Sequence, residues 1–344
     1  MISLGCRLNI AESERMRAMM AGERDLVVVN SCAVTREAVR QTRQAIRRAR
    51  RAHPDARLLV TGCAAETERE AIAAMPEVDG LVANAAKLDP RAWNLPETAP
   101  PLPKRRTRAF VAIQNGCDHA CTFCVIPQGR GPSRSLPIID VLREVESHLE
   151  QGAPEIVLTG VDVTSWGRDL PDRPQLGRLV QAILQTFPNL PRLRMSSLDG
   201  IEIDPLLFDL FASENRLMPH LHLSLQHGHD LILKRMKRRH SRAQAVDLVQ
   251  RLRELRPDLV LGADLIAGFP TESDAHHQAN LSIIRELRIV HGHIFPYSPR
   301  DNTPAARMPQ VDRVTVKARA AELRAIAATT QTEWLASLVD KPLS

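Results

Sequence analysis

Residues 109–124 read AFVAIQNGCDHACTFC, an apolar segment that runs directly into Cys117, Cys121 and Cys124. The apolar run is typical of a buried strand, and the tight cysteine triplet begins just after it. Open α/β sheets and barrels place their sites where strands end. The segment therefore predicts an α/β fold with a chemically reactive site at the carboxyl end of this strand.

The chain holds six cysteines, and the other three are dispersed at Cys6, Cys32 and Cys63. A 4Fe-4S cluster normally takes four thiolates, so a triplet leaves one iron open to an outside ligand. Zinc is an alternative for the tight triplet, because His119 lies inside it, but structural zinc wants four ligands and no second cysteine pair is near. Disulfides would need an oxidising compartment, and the first residues show no export signal. Two triplets predict two open clusters, with ordinary buried thiols as the remaining alternative.

The dispersed cysteines share a local context. Leu26–Val29 precedes Cys32, and Leu58–Val60 precedes Cys63, so both cysteines follow short apolar runs that read as strands. The carboxyl ends of parallel strands meet at one edge of a sheet. We therefore expect the dispersed cysteines to converge at such an edge.

The chain has 344 residues, which is long enough for two domains. Residues 1–93 are predicted to form a small parallel α/β domain, residues 94–108 a proline-rich linker, residues 109–330 a second domain, and residues 331–344 a tail. In the second domain, strands are expected near 109–114, 155–159, 191–197, 220–225, 259–266 and 289–295, with helices near 137–151, 174–186, 241–255 and 273–287. Six strand–helix units predict a partial, open (βα)6 barrel.

Charge favours a polyanionic partner. The formal net charge is +6, aromatic residues make up only 3% of the chain, and no apolar run approaches membrane-spanning length. Three basic stretches stand out: the arginines of one predicted helix (Arg36, Arg40, Arg43, Arg47, Arg48, Arg50 and Arg51), Lys104–Arg108, and Lys234–Arg239. Each stretch alone is commonly solvated surface, but three of them beside the cysteine motifs predict contacts with nucleic-acid phosphates rather than base stacking.

Several motifs carry a resemblance to a known family. The segment NGCDHACTFC at residues 115–124 resembles the CxxxCxΦC signature of radical S-adenosylmethionine enzymes, and VIPQGRGPSRS at 125–135 resembles the continuation found in their methylthiotransferase branch. The segments LGCRLN at 4–9, NSCAVT at 30–35 and TGCA at 61–64 resemble the cysteine motifs of that branch's first domain. The AVT form is most similar to the MtaB-type group, which acts on threonylcarbamoyladenosine in tRNA.

The resemblance implies two 4Fe-4S clusters and S-adenosyl-L-methionine. It assigns Cys117, Cys121 and Cys124 to the catalytic cluster, and the three dispersed cysteines to an auxiliary cluster in the first domain. It also implies a radical SAM barrel for the second domain. Further cofactor contacts are expected at the aromatic position before the last cysteine and at the strand ends, at Phe123, Thr159, Gly160, Ser196, Gln226, Ile266 and Gly268.

The implied reaction is methylthiolation of carbon 2 of N6-threonylcarbamoyladenosine at position 37 of tRNA. Alternatives within the branch are isopentenyladenosine in tRNA and an aspartate of a ribosomal protein, and an iron-sulfur RNA-binding module is the non-enzymatic alternative. The expected partners are the tRNA anticodon loop and an electron donor such as flavodoxin or ferredoxin, in the cytoplasm and without a membrane. No β-rich TRAM domain of the family is visible, and the oligomeric state stays open.

Histidines form closely spaced pairs on three predicted strands or strand ends. A pair two residues apart places both rings on one face of a strand, where they could chelate zinc if a third ligand were present. No third ligand is visible at matching spacing, so substrate contacts or core packing are predicted instead. The pairs are His220/His222, His227/His229 and His291/His293.

Overall fold

The computed structural model describes residues 1–95 and 107–339. These residues fall into two compact units. Unit 1 contains Met1–His119, Cys124–Pro174 and Gln185–Pro191, and unit 2 contains Ala120–Phe123, Gln175–Leu184 and the described part of Arg192–Ser344. Most of the predicted linker, with Lys104–Arg106 of the second basic stretch, and the end of the predicted tail lie outside the described residues.

Unit 1 begins with a four-stranded parallel sheet and its helices. The strand order is β1-β2-β3-β4, and the register pairs Val29 with Val60 between the two central strands. The elements are β1 (Ile2–Ser3), α1 (Arg7–Met19), β2 (Leu26–Ser31), α2 (Arg36–Ala52), β3 (Arg57–Gly62), α3 (Cys63–Thr67), α4 (Arg69–Ala73) and β4 (Gly80–Leu81).

Local sequence explains these elements. The β2 and β3 strands are nearly continuous apolar runs, as expected for parallel strands covered on both faces. Helix α2 begins where the Thr35 side chain accepts a hydrogen bond from the Ala38 N–H, and it packs Val39 and Ile46 into the core of the sheet. Arg36, Arg40, Arg47, Arg48 and Arg51 are exposed on its opposite side.

The remainder of unit 1 contains the strand that leads to the tight cysteine triplet. Strand β5 pairs in parallel with β8, and β6 pairs antiparallel with β7. The elements are β5 (Arg108–Ala112), β6 (Gln114–Asn115), α5 (Ile126–Arg130), β7 (Arg134–Ser135), α6 (Ile138–Glu150) and β8 (Glu155–Thr159).

Unit 2 is built on a second four-stranded parallel sheet, of order β10-β11-β12-β13. The elements are α7 (Leu176–Thr186), β9 (Arg192–Met195), β10 (Ser197–Leu198), α8 (Pro205–Ser213), β11 (His220–Gln226), α9 (Asp230–Arg235), α10 (Arg242–Leu255), β12 (Val260–Ala267), α11 (Asp274–Glu286), β13 (Ile289–Pro296) and α12 (Arg313–Ala336). The first residues of α10 and α11 are held by capping boxes at Ser241 and Ser273.

Strand β11 shows how the sheet of unit 2 separates its two faces. Leu221, Leu223 and Leu225 point to one face and are buried, whereas His220, His222 and Ser224 alternate with them on the other face. One face therefore forms apolar core, and the other carries polar side chains.

The predicted α/β fold class is confirmed. All six predicted strands of the second domain are present as β5, β8, β9, β11, β12 and β13, and the four predicted helices correspond to α6, α7, α10 and α11. The expected strand near 191–197 is interrupted, because β9 ends at Met195 and β10 begins at Ser197. Among the described residues, no helix is both long and apolar enough to cross a membrane.

Candidate functional site

The dispersed cysteines lie after three adjacent strands of unit 1. Cys6 precedes α1, Cys32 follows β2, and Cys63 is the first residue of α3, immediately after β3. Gly5 has a φ of +95°, and a side chain there would lie 2.8 Å from the sulfur of Cys32. The glycine therefore allows the loop of the first cysteine to approach the second closely.

Burial controls the protonation of the Cys32 thiol. Burial, together with a smaller repulsion from the nearby Cys63 and Cys6 thiolates, raises the pKa of Cys32 to about 11. Cys32 is consequently a protonated thiol at neutral pH until a cation offsets the charge. Metal binding at such a set releases protons.

A buried ion network lies in the same unit. Glu12 accepts hydrogen bonds from Lys87 Nζ at 2.6 Å and from Arg130 Nη1 and Nη2 at 2.9 and 3.0 Å. All three side chains are no more than 2% exposed. Burial opposes ionisation of Glu12, but the two cations together hold its pKa below the usual range. Two cations thus share one carboxylate in the protein interior.

The network reaches the cysteines through short contacts. Arg130 Nη2 donates to Asn9 Oδ1 at 2.5 Å, and the charge of Arg130 acts on both Cys63 and Cys6. Asn84 Nδ2 donates to the Gly129 carbonyl at 2.5 Å and lies 4.0 Å from the Cys63 sulfur. The excess positive charge calls for an anion nearby, since unpaired buried charge is costly. Three thiolates on an iron-sulfur cluster supply such an anion, so these residues fit that group.

In the tight triplet, every sulfur faces an N–H donor of its own unit. In unit 1, the His119 amide donates to Cys117 and the Ile126 amide donates to Cys124, each at 3.4 Å. In unit 2, Arg238 Nη1 donates to Cys121 at 3.7 Å. Hydrogen bonds to sulfur stabilise thiolate charge and tune cluster potentials. Each of these donors suits a sulfur that carries thiolate charge.

Three side chains near the tight triplet form a partial ligand set for zinc. The spacing of residues along the chain alone could not show this set. The Cys117 sulfur, His119 and Asp162 offer three ligand atoms within 4.8 Å of one another. His119 Nε2 is 2.8 Å from Asp162 Oδ2, which also accepts from Ser165 at 2.6 Å. The sequence had identified His119 but not the carboxylate, because Asp162 follows a different strand.

Two of the other predicted cofactor contacts lie at the end of β8. Thr159 is its last residue and is buried. At Gly160, a Cβ atom would lie 2.8 Å from the Gln114 carbonyl oxygen, so only glycine fits without a shift of the backbone. The side chain of Gln114 accepts hydrogen bonds from the amides of Val161 and Asp162. These bonds fix the turn after β8.

Phe123, Ile266 and Gly268 belong to the apolar end of the sheet in unit 2. Phe123 packs edge-on against Phe269, with ring centroids 6.4 Å apart, in a cluster that includes Ile266. Gly268 has a φ of +69°, and a side chain there would lie 2.5 Å from Val316. These residues form a packed apolar wall.

Ser196 and Gln226 offer polar groups at the same sheet. Ser196 lies between β9 and β10, and its buried Oγ has no hydrogen-bond partner among the described residues. Gln226 ends β11 with a φ of +68°, next to a shift in the strand register. A left-handed non-glycine residue carries strain that clusters at ligand sites. An orphaned hydroxyl and a strained strand end both fit a bound ligand.

The histidine pairs resolve into two environments. His227 is fully buried and bonds Glu272 at 3.2 Å, as core packing predicts. His222 Nε2 and His293 Nδ1 lie 3.1 and 3.2 Å from the same oxygen of Asp264. Spacing along the chain could not show this third, acidic group, because the pairing of β11, β12 and β13 brings Asp264 between histidines from different pairs.

Several arginines of the basic stretches form ion pairs and hydrogen bonds within the protein, which the sequence did not predict. On α2, carboxylates of the same unit pair with Arg40, Arg43, Arg47 and Arg50. Arg48 and Arg51 are exposed. In the stretch Lys234–Arg239, Arg238 bonds Asp199 and the Ser224 carbonyl besides Cys121. The predicted phosphate surface on α2 is therefore smaller than its arginine count indicates.

Known protein families match both cysteine-bearing parts of the chain. A family profile of the Radical SAM superfamily matches residues 111–281, and one described as Uncharacterized protein family UPF0004 matches residues 1–83. The chain is 44% identical to the threonylcarbamoyladenosine tRNA methylthiotransferase MtaB of Rickettsia prowazekii (strain Madrid E), over 94% of this chain and 81% of that relative. The chain belongs to the radical SAM tRNA methylthiotransferase family. Membership implies S-adenosylmethionine and a 4Fe-4S cluster.

A further relative acts on a different nucleoside by its description. The tRNA-2-methylthio-N(6)-dimethylallyladenosine synthase of Paracoccus denitrificans (strain Pd 1222) is 32% identical, over 98% of this chain and 83% of the relative. Among solved structures, the radical S-adenosylmethionine methyltransferase TsrM from Kitasatospora setae matches with a TM-score of 0.61 at 17% identity, covering 86% of this chain and 66% of that one. At an identity this low, the structural match supports the fold alone. The similarity of fold confirms the predicted radical SAM architecture.

Proposed function

We propose that this protein methylthiolates carbon 2 of N6-threonylcarbamoyladenosine at position 37 of tRNA. The observation that carries the proposal is the 44% identity, over nearly the whole chain, to a relative described as acting on threonylcarbamoyladenosine in tRNA. The two cysteine triplets at strand ends support it, because the reaction needs both a radical source and a sulfur carrier. A second relative at 32% identity makes dimethylallyladenosine the alternative nucleoside.

The tight triplet is proposed to hold the catalytic cluster. With S-adenosylmethionine bound, that cluster would supply a carbon radical able to remove hydrogen from an unactivated C–H bond. The amides of His119 and Ile126 and the guanidinium of Arg238 stabilise the sulfurs. Protein side chains lack the basicity to remove such a hydrogen as a proton, so their role is to position substrate and exclude water.

The strand-end residues are proposed to bind S-adenosylmethionine. Ser196 would donate or accept through its otherwise unpartnered Oγ. The packed wall of Phe123 and Ile266 offers an apolar surface to the adenine. Thr159, Gly160, Gln226 and Gly268 complete the proposed set at the ends of β8, β11 and β12.

The dispersed triplet is proposed to hold a second 4Fe-4S cluster, the auxiliary one. Its ligands would be Cys6, Cys32 and Cys63, which lie after three neighbouring parallel strands. The Lys87 and Arg130 cations would balance the negative charge of the thiolates, and Glu12 would fix their positions. The residues of the chain thus prepare an electrostatic environment for an anionic group that carries sulfur.

The proposed organisation assigns residues 1–93 to the auxiliary cluster, residues 94–108 to a linker and residues 109–330 to the radical SAM domain. The proposed partners are the anticodon loop of tRNA and a cytoplasmic electron donor such as flavodoxin or ferredoxin. An unpaired loop base can be extruded at modest cost, which suits an enzyme that must reach a ring carbon. Arg48 and Arg51, exposed on α2, are available for phosphates.

The test is nucleoside mass spectrometry on tRNA from a strain that lacks this gene and from the same strain complemented with it. Loss and return of 2-methylthio-N6-threonylcarbamoyladenosine supports the proposal. A change confined to the methylthio-dimethylallyl nucleoside would transfer the function to the alternative, and an unchanged profile would reject both tRNA reactions.

Variants in the complementing gene separate the two triplets. Cys32→Ala and Cys121→Ala are each expected to abolish the methylthio nucleoside, whereas the purified Cys32→Ala protein keeps reductive cleavage of S-adenosylmethionine. Arg40→Ala serves as the matched surface control, because its ion pair with Glu37 is exposed. Retention of the methylthio nucleoside by Cys32→Ala would contradict the auxiliary-cluster assignment.

A further inference from the structure

The polar face of the unit 2 sheet carries a cluster that the proposed reaction has not used. His222 of β11, Asp264 of β12 and His293 of β13 form it. Asp264 accepts from both imidazoles through one oxygen, and its other oxygen accepts from Ser197 at 3.3 Å. The His222 ring lies over Gly262, where a Cβ atom would be 2.3 Å from Nδ1. The backbone of β12 therefore leaves space for this ring.

A chain of hydrogen bonds connects the cluster to a thiol of the tight triplet, entirely within unit 2. Arg238 donates to Cys121 at 3.7 Å and to the Ser224 carbonyl at 2.7 Å. The Ser224 hydroxyl lies 2.8 Å from that of Ser197, which donates to Asp264. The cluster consequently belongs to the neighbourhood of the proposed radical chemistry.

The cluster is also reachable from solvent. The His293 side chain is 59% exposed, whereas those of His222 and Asp264 are 9% and 22% exposed. Burial lowers the pKa of the adjacent His291, and the neighbouring imidazoles and Arg194 lower it further. A ligand arriving here meets two imidazole rings and one carboxylate acceptor.

We propose that the polar face at His222, Asp264 and His293 is the subsite for the threonylcarbamoyl arm of the nucleoside. The inference rests on the proposed function and names the groups that select its substrate. A threonylcarbamoyl arm has a carboxylate, a hydroxyl and urea N–H groups. His293, as an imidazolium that donates to Asp264 through Nδ1, donates to the arm's carboxylate through Nε2, and Asp264 accepts from the arm's donors.

The same chemistry disfavours a dimethylallyl arm. That arm contains only carbon and hydrogen, so its entry would cover the exposed atoms of His293 and Asp264 without replacing the hydrogen bonds that those atoms make to solvent. A site built to pair with polar groups rejects an analogue that lacks them, because its own polar groups are left unpaired. The subsite thus separates the two nucleosides named by the relatives on physical grounds.

The experiment uses the reconstituted enzyme with S-adenosylmethionine and two anticodon stem-loop RNAs. One RNA carries threonylcarbamoyladenosine at position 37, and the other carries dimethylallyladenosine. For each RNA, the kcat and KM of methylthiolation and the Kd of the complex are measured for wild type, His293→Leu and His293→Gln. His53→Leu is the matched control, because His53 is an exposed histidine at the end of α2.

We expect His293→Leu to weaken binding of the threonylcarbamoyl RNA by about tenfold to a hundredfold, the usual loss for a hydrogen bond to a charged group. The preference for that RNA over the dimethylallyl RNA falls by the same factor, and His293→Gln restores part of it. A merely structural role would weaken both RNAs alike and leave the preference unchanged, which would overturn the subsite.

Two readouts keep the outcomes apart. Formation of 5′-deoxyadenosine in the absence of RNA reports whether each variant is folded and holds its cofactor. If wild-type enzyme fails to methylthiolate the threonylcarbamoyl RNA, the proposed function itself is wrong. If wild type is active and its preference survives His293→Leu, the function stands and the subsite is rejected.

Discussion

Replacing Glu12 with alanine would leave Lys87 and Arg130 as two buried cations without their shared carboxylate. The substitution removes the three hydrogen bonds from these cations, of 2.6, 2.9 and 3.0 Å between side chains that are no more than 2% exposed, and a fourth from Asn115 Nδ2 at 3.2 Å. Breaking a buried pair by removing one partner costs about 3–5 kcal/mol, because the remaining charge is desolvated and unpaired. Two cations depend on Glu12, so we expect the loss of unfolding free energy to lie at the upper end of that range.

The assay is urea unfolding followed by far-ultraviolet circular dichroism, on wild type, Glu12→Ala and Glu12→Gln. The glutamine variant preserves volume and removes only the charge, so it isolates electrostatics from packing. Glu37→Ala is the control, because its pair with Arg40 is exposed and such pairs contribute about 0–1 kcal/mol. If both Glu12 variants lose no more than Glu37→Ala, the network does not stabilise this unit and the reasoning is refuted.

Three further outcomes are expected. Burial opposes ionisation of Asp264, but hydrogen bonds from two imidazoles outweigh it and hold the pKa of Asp264 below its usual range. The stability that ionised Asp264 contributes is therefore present above about pH 4 and is lost as pH falls through the folded pKa. The difference in unfolding free energy between wild type and Asp264→Asn should shrink in acid. Arg48→Ala with Arg51→Ala should lower the salt dependence of tRNA binding by about two phosphate contacts, whereas Arg40→Ala leaves it unchanged. Arg238→Met removes a donor to a cluster cysteine and should speed iron loss to a chelator by about tenfold to a hundredfold, with wild-type iron retention counting against that contact.

The strand-end cysteines show what sequence reasoning reaches. Apolar runs before Cys32 and Cys63 are local signals, since continuous burial of a parallel strand needs consecutive apolar residues. The order of strands and helices then predicts a parallel sheet. Because the cysteines come after the strands, they are predicted to lie at the carboxyl edge of that sheet. The same reasoning located the strand before Cys117.

The ion network of Glu12, Lys87 and Arg130 is a feature that sequence reasoning cannot predict. Arg130 and Glu12 are separated by 118 positions, and Lys87 lies in a third segment. Each of these charged residues, taken alone, is predicted to lie on the surface, because unpaired charges are usually exposed. Only the fold shows that the three meet in the interior, although the place of Arg130 inside the motif after the tight triplet was a hint.

The charge balance of the basic helix α2 is hidden from sequence reasoning for a related reason. Arginines at helical spacing predict a phosphate surface, but Glu68, Glu77 and Asp79 come from later segments and pair with several of them. Charge balance across a surface is a property of neighbours in space. Spacing along the chain reports only which side chains share a helix face.

The sequence alone determined the α/β fold class, the two cysteine triplets and their strand-end positions, because these depend on periodicity and on residues close together in the chain. Tertiary structure alone decided which charges are buried and which histidines meet. Asp264 joins His222 to His293 because the register of three adjacent parallel strands places Asp264 opposite His293 and two residues after Gly262, the partner of His222. Convergence of side chains from separate strands depends on that register, and register is set by packing over the whole sheet.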